Sequence, residues 1–407
     1  MKLRMMDLIV CPKCKNTLSL NIEQSCRKEY AEHWYNIIYE NFKLNTRQTD
    51  FPGTDKIREL YETEVISGTL TCKTCNASYP IQDGIPKILS PELMPQKGMG
   101  RGNPVTDKKL DFFQDDAAPV KEDNNRFDNI QKANQSNYGY EWQMFSHKYQ
   151  QWDKIYKENY VEKDAEFFKG KTGIDCGCGN ARFTFSCTKN GAEMIGLDLS
   201  NAIYAAYKNG EDIPTFHAIQ GDIFNLPVRD DYFDFAQSLG VIHITPDPEG
   251  ALESIQKAVK PSGNLFIYVY KSYKEDNLFK HLLLYPVTLL RKLTVKMSAD
   301  QLYYFLYLLL PVSLVFCFIP SMILWHIPGM KRLSNMFPYS YEQYKGRKIR
   351  DFHMNLFDRF GNPLERRYTK EEMCEWMDKV NFESYQLKEN NYGWVVSGHE
   401  LSVTSET

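Results

Sequence analysis

The sequence predicts an α/β protein whose main domain is a doubly wound parallel sheet, with a small metal-binding module at the N-terminus. From Tyr149 onward, short apolar segments alternate with helical patterns, which is the signal of parallel strands joined by crossover helices. The first ninety residues instead contain two Cys-x-x-Cys pairs. A chain of 407 residues has room for two or three domains, so a module and a sheet domain fit its length.

The composition narrows the function classes. Hydrophobic residues make up 43% and charged residues 25%, the balance of a globular protein. A net charge of −3 and a pI of about 6.3 make nucleic acid a less favoured partner, because dedicated nucleic-acid binders usually carry a basic excess. The N-terminal residues lack the apolar core of a signal peptide, so we expect reduced thiols and a cytoplasmic location.

The N-terminal module is predicted to hold zinc. Each Cys-x-x-Cys pair places two thiolates on a tight turn, and four thiolates complete a closed tetrahedral site. The long gap between the pairs is tolerated because the free energy of loop closure grows slowly with length. The expected site is therefore structural rather than catalytic, and the alternative is two disulfides or unrelated thiols. The predicted ligands are Cys11, Cys14, Cys72 and Cys75.

This module resembles the Trm112-like family of small zinc-binding domains. The resemblance is carried by residues 10–14, 72–75 and 79–86, the last reading Tyr-Pro-Ile-Gln-Asp-Gly-Ile-Pro. The chain departs from the family in an insertion at about 23–64, whose pattern is mostly helical. That insertion puts any partner surface shared with the family in doubt.

A glycine-containing turn marks a predicted cofactor site. Gly177 and Gly179 follow a predicted strand ending at Asp175 and precede a helix, so the backbone can approach a ligand and offer free N–H groups. Asp198 ends the next strand 23 residues later, where a carboxylate can bind both hydroxyls of a ribose. Asp222 then precedes an apolar residue that can flank an adenine ring.

The alternative cofactor for such a turn is NAD. NAD sites favour a third glycine, but Arg182 occupies that position. The Asp222 motif and the Lys-Pro-Ser-Gly turn at 260–263 favour S-adenosylmethionine. The predicted strands of this domain are 172–175, 192–198, 234–238, 264–270, 385–388 and 393–398, and 370–379 is predicted to be a helix.

These motifs resemble the class I S-adenosylmethionine-dependent methyltransferase family, especially its UbiE-like branch. The matching runs are 173–179, 195–200, 221–227, 233–234, 238–243 and 258–265. The resemblance implies a Rossmann-like sheet of seven strands and a cofactor site. In that site the two glycines contact the methionine part, Asp198 holds the ribose and Asp222 with Ile223 frames the adenine. A relative that keeps the fold without catalysis is the alternative.

The run 138–142 resembles the N-terminal segment of Trm112-headed relatives, and we expect it to close over the cofactor. The chain departs from the family where Asn180 and Ala181 replace a third glycine, and where Ile244 replaces a frequent histidine. The cofactor-binding residues predicted in total are Asp175, Gly177, Gly179, Asp198, Leu199, Asp222, Ile223, Ser238, Tyr140 and Trp142.

The sequence also bears on the methyl acceptor and on a candidate catalytic base. Family members that methylate amino groups often carry an Asn/Asp-Pro-Pro-Tyr-like run, which 238–243 lacks, so oxygen or carbon is favoured. His243 is the candidate general base, since imidazole titrates near neutral pH, and its alternative role is to order the loop or face solvent. The predicted acceptor is a hydrophobic small molecule or lipid-linked intermediate. The alternatives are RNA or a translation component, or a non-catalytic scaffold.

An apolar insertion precedes the last two strands. Residues 302–327 contain no Asp, Glu, Lys or Arg, enough for a membrane span, but Pro311 and Pro320 are expected to break the segment into pieces too short to cross. It is therefore predicted to be a helical cap that covers the acceptor, a membrane surface or another subunit. The predicted domains are 1–90, a linker at 91–130, a methyltransferase domain at 131–276 and 341–400, and the cap at 277–340.

Overall fold

The structure, a computed structural model, describes residues 1–45, 52–94, 124–144, 156–272, 278–337, 339–362, 364–380, 382–390 and 393–401. These residues fall into two compact units. The first lies within 1–95, 113–272 and 364–407, and the second contains 273–363. Most of the predicted linker at 91–130 lies outside the described residues, but its last seven belong to helix α3, Asn124–Met144.

The first unit is built on an eleven-stranded sheet with the order β1-β2-β3-β4-β7-β6-β5-β8-β9-β11-β10. The strands are β1 Leu18–Arg27, β2 Thr63–Cys72, β3 Ser78–Gln82, β4 Ile85–Ile88, β5 Thr172–Cys176, β6 Glu193–Asp198, β7 Phe216–Gly221, β8 Phe233–Leu239, β9 Val259–Tyr270, β10 Phe382–Glu389 and β11 Gly393–Leu401. Strands β5 to β9 run parallel, and β11 pairs antiparallel with β9. Strands β5 to β11 thus confirm the predicted doubly wound sheet of seven strands.

The parallel strands all end along the same edge of the sheet, and the candidate cofactor site lies along that edge. Strands β5, β6 and β7 are buried along their whole length, as expected for a sheet with helices on both faces. Strand order reverses between β5 and β8, which is where doubly wound sheets open a ligand crevice. The helices of this unit include α4 Ala165–Phe168, α5 Thr184–Lys189, α6 Ala202–Asn209, α7 Pro248–Lys257 and, after the second unit in chain order, α14 Lys370–Lys379.

The N-terminal module continues the same sheet. Strand β4 pairs parallel with β7, with Lys87 opposite Gln220 and Ile88 opposite Gly221. Two helices, α1 Glu32–Asn45 and α2 Thr54–Glu62, lie between β1 and β2 in the chain. The sequence predicts a metal module before the sheet, but its local patterns do not indicate that the module extends the sheet.

A buried charged cluster also joins the module to the sheet. Arg4 of the module forms an ion pair with Glu193 at the start of β6, with 2.9 Å between nitrogen and oxygen. The same carboxylate accepts a hydrogen bond of 2.6 Å from Tyr61 and lies 3.0 Å from His217 Nε2. Burial alone would raise the pKa of Glu193, but Arg4 and His217 hold it well below its ordinary value. The module is thus tied to the sheet by charge as well as by strand pairing.

The second unit is helical. Its helices are α8 Leu278–Thr294, α9 Ala299–Ser313, α10 Ile319–Trp325, α11 Lys331–Ser334, α12 Tyr341–Tyr344 and α13 Ile349–Gly361. A π-helical turn, Leu314–Phe318, joins α9 to α10, so that Ala299–Trp325 is one continuous helix, here called the apolar helix.

The prediction that Pro311 and Pro320 break this segment into short pieces is therefore wrong. A proline removes one backbone N–H, but a π-helical turn shifts the neighbouring hydrogen bonds by one residue and absorbs the mismatch. The amide of Ile319 accordingly bonds to the carbonyl of Leu314. Among the described residues, the apolar helix is the one helix long and apolar enough to cross a membrane by length and composition.

Candidate active site and metal centre

The glycine turn between β5 and α5 adopts a conformation that requires glycine. Gly177 and Gly179 have φ angles of +85° and +56°, in the left-handed region that side chains disfavour. A Cβ atom on Gly177 would lie 2.5 Å from the side chain of Val241, so no substitution fits. Ala181, where relatives have glycine, also has a positive φ of 62°. The turn keeps the shape of a glycine-rich loop with one residue under backbone strain.

Asp198, at the end of β6, holds this turn in place. Its Oδ2 accepts a hydrogen bond of 2.8 Å from the Gly179 amide, and its Oδ1 accepts two from the amide and hydroxyl of Ser200. A carboxylate has about four lone-pair positions, so one remains for a ligand hydroxyl. Burial raises the pKa of Asp198, and these donors oppose the rise.

Asp222 and Ile223 follow β7 at the same edge. The Asp222 carboxylate accepts hydrogen bonds from Gln131 Nε2 at 3.0 Å and from Asn225 Nδ2 at 2.9 Å. Burial raises its pKa as well. Ile223 is buried beside it, and so an acid and an apolar side chain lie together as predicted for an adenine subsite.

Helix α3 covers this edge. Asn134 donates a hydrogen bond of 2.7 Å to the carbonyl of Ile244, and Gln135 donates one of 3.0 Å to that of Leu199. Near the end of the helix, the Trp142 indole nitrogen lies 3.0 Å from where a Cβ of Gly179 would stand. Tyr140 is half-buried on the same helix. The helix therefore reaches from the loop after β8 to the glycine turn.

The polar residues of α3 that make these contacts were missed by the sequence analysis. Gln131, Asn134 and Gln135 recur at helical spacing, and they lie just beyond the predicted linker, at the start of the predicted methyltransferase domain. A helical period of amides before the run 138–142 is the signal that could have found them.

Asp175 and Ser238 are buried and make hydrogen bonds with residues of the sheet and of α5. Asp175 Oδ2 accepts hydrogen bonds from the hydroxyl of Thr184 and, at 2.8 Å, from Gln237 Nε2. Burial raises its pKa to about 6. The Ser238 hydroxyl donates to the carbonyl of Cys176 at 2.9 Å. Both side chains join β5 to its neighbours, and Thr184 and Gln237 are supporting residues that the sequence analysis did not find.

His243 lies on a short helical turn, Ile242–Ile244, after β8. It is 1% exposed, and its ring centroid lies 4.3 Å from that of Tyr270. Burial lowers the pKa of His243 to about 3, although the Glu365 carboxylate opposes this. Within the described residues its Nδ1 atom has no hydrogen-bond partner. His243 is thus a neutral imidazole that does not face solvent, and its role as a base stays a prediction.

The four predicted zinc ligands converge. Their sulfur atoms all lie within 4.8 Å of one another, with Cys11 and Cys75 at 3.5 Å and Cys14 and Cys72 at 3.4 Å. Zinc–sulfur bonds of about 2.3 Å in a tetrahedron place the sulfurs about 3.8 Å apart. All four are free thiols, so the alternative of two disulfides does not hold. The donor set fits a closed zinc site.

Two family matches cover the two halves of this arrangement. Residues 2–84 match the family described as Trm112p-like protein, and residues 174–267, from β5 to β9, match the family described as methyltransferase domain. The chain thus contains a methyltransferase domain, preceded by a Trm112-like domain. The methyltransferase match includes the glycine turn, Asp198 and Asp222.

Known relatives agree with this assignment over part of their length. The demethylmenaquinone methyltransferase of Staphylococcus saprophyticus is 29% identical over 107 residues, 25% of this chain and 46% of the relative. The ubiquinone biosynthesis O-methyltransferase of Acinetobacter baumannii is 25% identical over 132 residues, 30% of this chain and 53% of the relative. The chain thus spans about half the length of these curated relatives.

Matches among solved structures include the 1,6-didemethyltoxoflavin-N1-methyltransferase of Burkholderia thailandensis. It is 12% identical, with a TM-score of 0.38, over 70% of this chain and 91% of that protein. Another is the complex between the Trm112 methyltransferase activator and a methyltransferase of Haloferax volcanii. It is 20% identical, with a TM-score of 0.29, over 35% of this chain and 61% of that chain.

The Trm112-like domain contacts the segment that follows Asp222 in the methyltransferase domain. The Val10 amide donates a hydrogen bond of 2.9 Å to the carbonyl of Pro227. Lys15 Nζ donates to the carbonyls of Leu226 and Val228 at 3.2 and 3.1 Å. One turn of the metal module, next to Cys11 and Cys14, thus fixes the segment behind the predicted adenine subsite.

Proposed function

We propose that this protein transfers the methyl group of S-adenosylmethionine to an oxygen or carbon atom of a hydrophobic small molecule or lipid-linked acceptor. The observation that carries the proposal is the alignment of the glycine turn, Asp198 and Asp222 along one sheet edge under α3. Each element supplies one kind of contact that the cofactor needs: backbone N–H groups, a ribose acceptor and an adenine subsite.

The residues proposed to hold the cofactor follow from their places in this edge. Gly177 and Gly179 leave room for the methionine part, and Asp198 keeps a lone pair for the ribose. Trp142 covers the glycine turn, and Leu199 and Ile223 border the adenine subsite. When bound, the sulfonium supplies an electrophilic methyl group, and the protein supplies position and exclusion of water.

His243 is proposed to accept a hydrogen bond from the methyl acceptor. Its pKa of about 3 makes His243 a weak base. Abstraction of a proton from the methyl acceptor by His243 before methyl transfer is therefore not favoured. A neutral Nδ1 atom can still orient an acceptor hydroxyl toward the methyl group.

The hydrophobic acceptor is supported by the relatives, whose names refer to demethylmenaquinone and to ubiquinone biosynthesis. The four thiols are proposed to bind one structural zinc, which keeps the Trm112-like domain folded against strand β7. The expected location is the cytoplasm, with peripheral contact to a membrane through 277–340.

The test is an acceptor search. Lipid and metabolite extracts from a deletion strain are incubated with purified protein and S-adenosylmethionine carrying an isotopically labelled methyl group. Mass spectrometry should find a labelled apolar product that is absent with Asp198→Ala protein. Label appearing only in RNA or protein fractions would overturn the proposed acceptor class, and the absence of cofactor binding would overturn the activity.

A further inference from the structure

Exposed hydrophobic side chains are concentrated in the second unit. The described part of the chain has seventeen large hydrophobic residues that are exposed, and fifteen of them lie between Tyr285 and Ile349. The other two, Ile22 and Leu44, belong to the N-terminal module. Soluble monomers rarely leave a large contiguous apolar patch open, so this concentration indicates a binding surface.

The apolar helix presents six of these residues on one face. Leu302, Leu306 and Leu310 are buried, and Leu302 packs against Gly361 of α13. The exposed residues recur at the spacing of a helical face along the whole helix: Tyr304, Leu308, Val312, Phe316, Ile319 and Ile323. Helix α8 repeats the pattern with Tyr285, Leu289 and Leu293. Each helix therefore has an open apolar stripe.

Charge and aromatic residues indicate what covers these stripes. Residues 273–363 contain twelve Lys and Arg but six Asp and Glu, a net charge of +6 in a chain whose total is −3. Lys331, Arg332, Lys345 and Lys348 are exposed after the apolar helix. Trp325, at the end of that helix, lies beneath Lys331 and Lys345 at 4.9 and 5.6 Å. Aromatic residues beside cations are typical of the boundary between lipid tails and headgroups.

We propose that the second unit docks on the surface of an anionic phospholipid bilayer, with the apolar helix lying in the plane of the interface. The exposed stripe enters the acyl boundary, and the basic residues contact phosphate headgroups. A single membrane crossing is disfavoured because β9 and β11, the strands before and after this unit in the chain, pair with each other and so lie on the same side of any membrane. A return to that side would need two spans, and the described residues contain one candidate. This docking does not depend on the proposed methyl transfer.

Vesicle flotation with the full-length protein tests the proposal. Vesicles of phosphatidylcholine mixed with phosphatidylglycerol should carry the protein, and vesicles of phosphatidylcholine alone should carry less. The double variant Leu308→Glu/Phe316→Glu should bind at least about tenfold more weakly, since each buried side chain of this size contributes about 1.5–3 kcal/mol. The controls Ile22→Glu and Leu44→Glu, which change exposed hydrophobic residues of the N-terminal module, should bind like wild type.

A second variant separates charge from folding. Lys331→Gln/Lys345→Gln/Lys348→Gln changes exposed residues only, and it should remove the preference for phosphatidylglycerol, with about fivefold weaker binding per lysine. Circular dichroism of each variant reports folding of the helical second unit, and it depends on neither vesicle binding nor cofactor binding. Three results would overturn the proposal: no vesicle binding by wild type, a stable dimer in solution that does not bind vesicles, and protein that resists alkaline extraction from membranes.

Discussion

The Gly179 amide donates a hydrogen bond of 2.8 Å to Asp198 Oδ2, and this bond joins the turn after β5 to the end of β6. The same carboxylate is proposed to accept a hydrogen bond from a ribose hydroxyl of the cofactor. The glycine turn and the ribose subsite are therefore set by one side chain, and a change at Asp198 should disturb both.

Asp198→Asn should weaken S-adenosylmethionine binding by roughly ten- to hundredfold. The substitution keeps the volume but removes the charge, and hydrogen bonds to a charged group contribute about 1.5–3 kcal/mol each. Isothermal titration calorimetry measures the change. Asp83→Asn is the control, because Asp83 is exposed and asparagine tolerates its positive φ. Equal affinities in the two variants would reject the assignment of Asp198.

Trp142→Ala should weaken cofactor binding by about tenfold with little change in melting temperature. The indole lies against Gly179 at the open edge of the sheet, where it shields the turn without filling the core. Gln143→Ala on the same helix changes an exposed neighbour and should bind the cofactor normally. Tryptophan fluorescence that stays unchanged on titration with S-adenosylmethionine would contradict a covering role for Trp142.

Asp175→Asn should stabilise the protein at pH 8 and not at pH 4. Folding raises the pKa of this carboxyl from 3.8 to about 6, so at pH 8 its ionised form is less favourable in the folded than in the unfolded state. The cost of about 3 kcal/mol falls as the pH drops through 6 and is gone below 3.8, when both states are protonated. Urea unfolding at the two pH values measures it. The same increase in the free energy of unfolding at both pH values would show that ionisation of Asp175 is not the cause.

Glu193→Gln should destabilise the junction between the Trm112-like and methyltransferase domains by about 3 kcal/mol, because it removes the buried carboxylate of the ion pair and leaves Arg4 only the exposed Asp7 as a charge partner. The pKa of Glu193 is held below its ordinary value of 4.5, so its contribution is present above that pH and is lost as the pH falls toward the folded pKa. Thermal unfolding at pH 7 should show the loss. Lys56→Gln, which breaks an exposed ion pair with Glu59, should change the melting temperature little.

Cys72→Ser should abolish zinc binding and lower the melting temperature of the whole protein. Structural zinc contributes roughly 10–16 kcal/mol of apparent binding free energy, and the module that it holds is paired with β7. Elemental analysis should find one zinc per wild-type chain. Cys26→Ser changes an exposed cysteine outside the cluster and should keep the metal. Metal-free wild-type protein purified without chelator would refute the site.

Features that depend on neighbouring residues were predicted from the sequence. The Cys-x-x-Cys turns, the glycine turn with Asp175, and the acids at the ends of β6 and β7 are local patterns. Helix Lys370–Lys379 was predicted with its observed bounds, and the strand predicted at 234–238 is β8 without its end residues. Periodicity and capping decide such elements within a few residues of sequence, so one chain is enough to find them.

Only the tertiary structure decided which of these elements meet. Pairing of β4 with β7 joins residues more than 130 positions apart, and the contact of Trp142 with Gly179 depends on how α3 crosses the sheet edge. Residues more than 120 positions further along the chain also meet His243: the Arg366 amide donates a hydrogen bond to its carbonyl, and the Glu365 carboxylate opposes the fall in its pKa. The continuity of the apolar helix through two prolines depends on a π-helical turn. Local sequence patterns do not predict such features. Packing between distant segments determines them, together with small shifts in backbone hydrogen bonding.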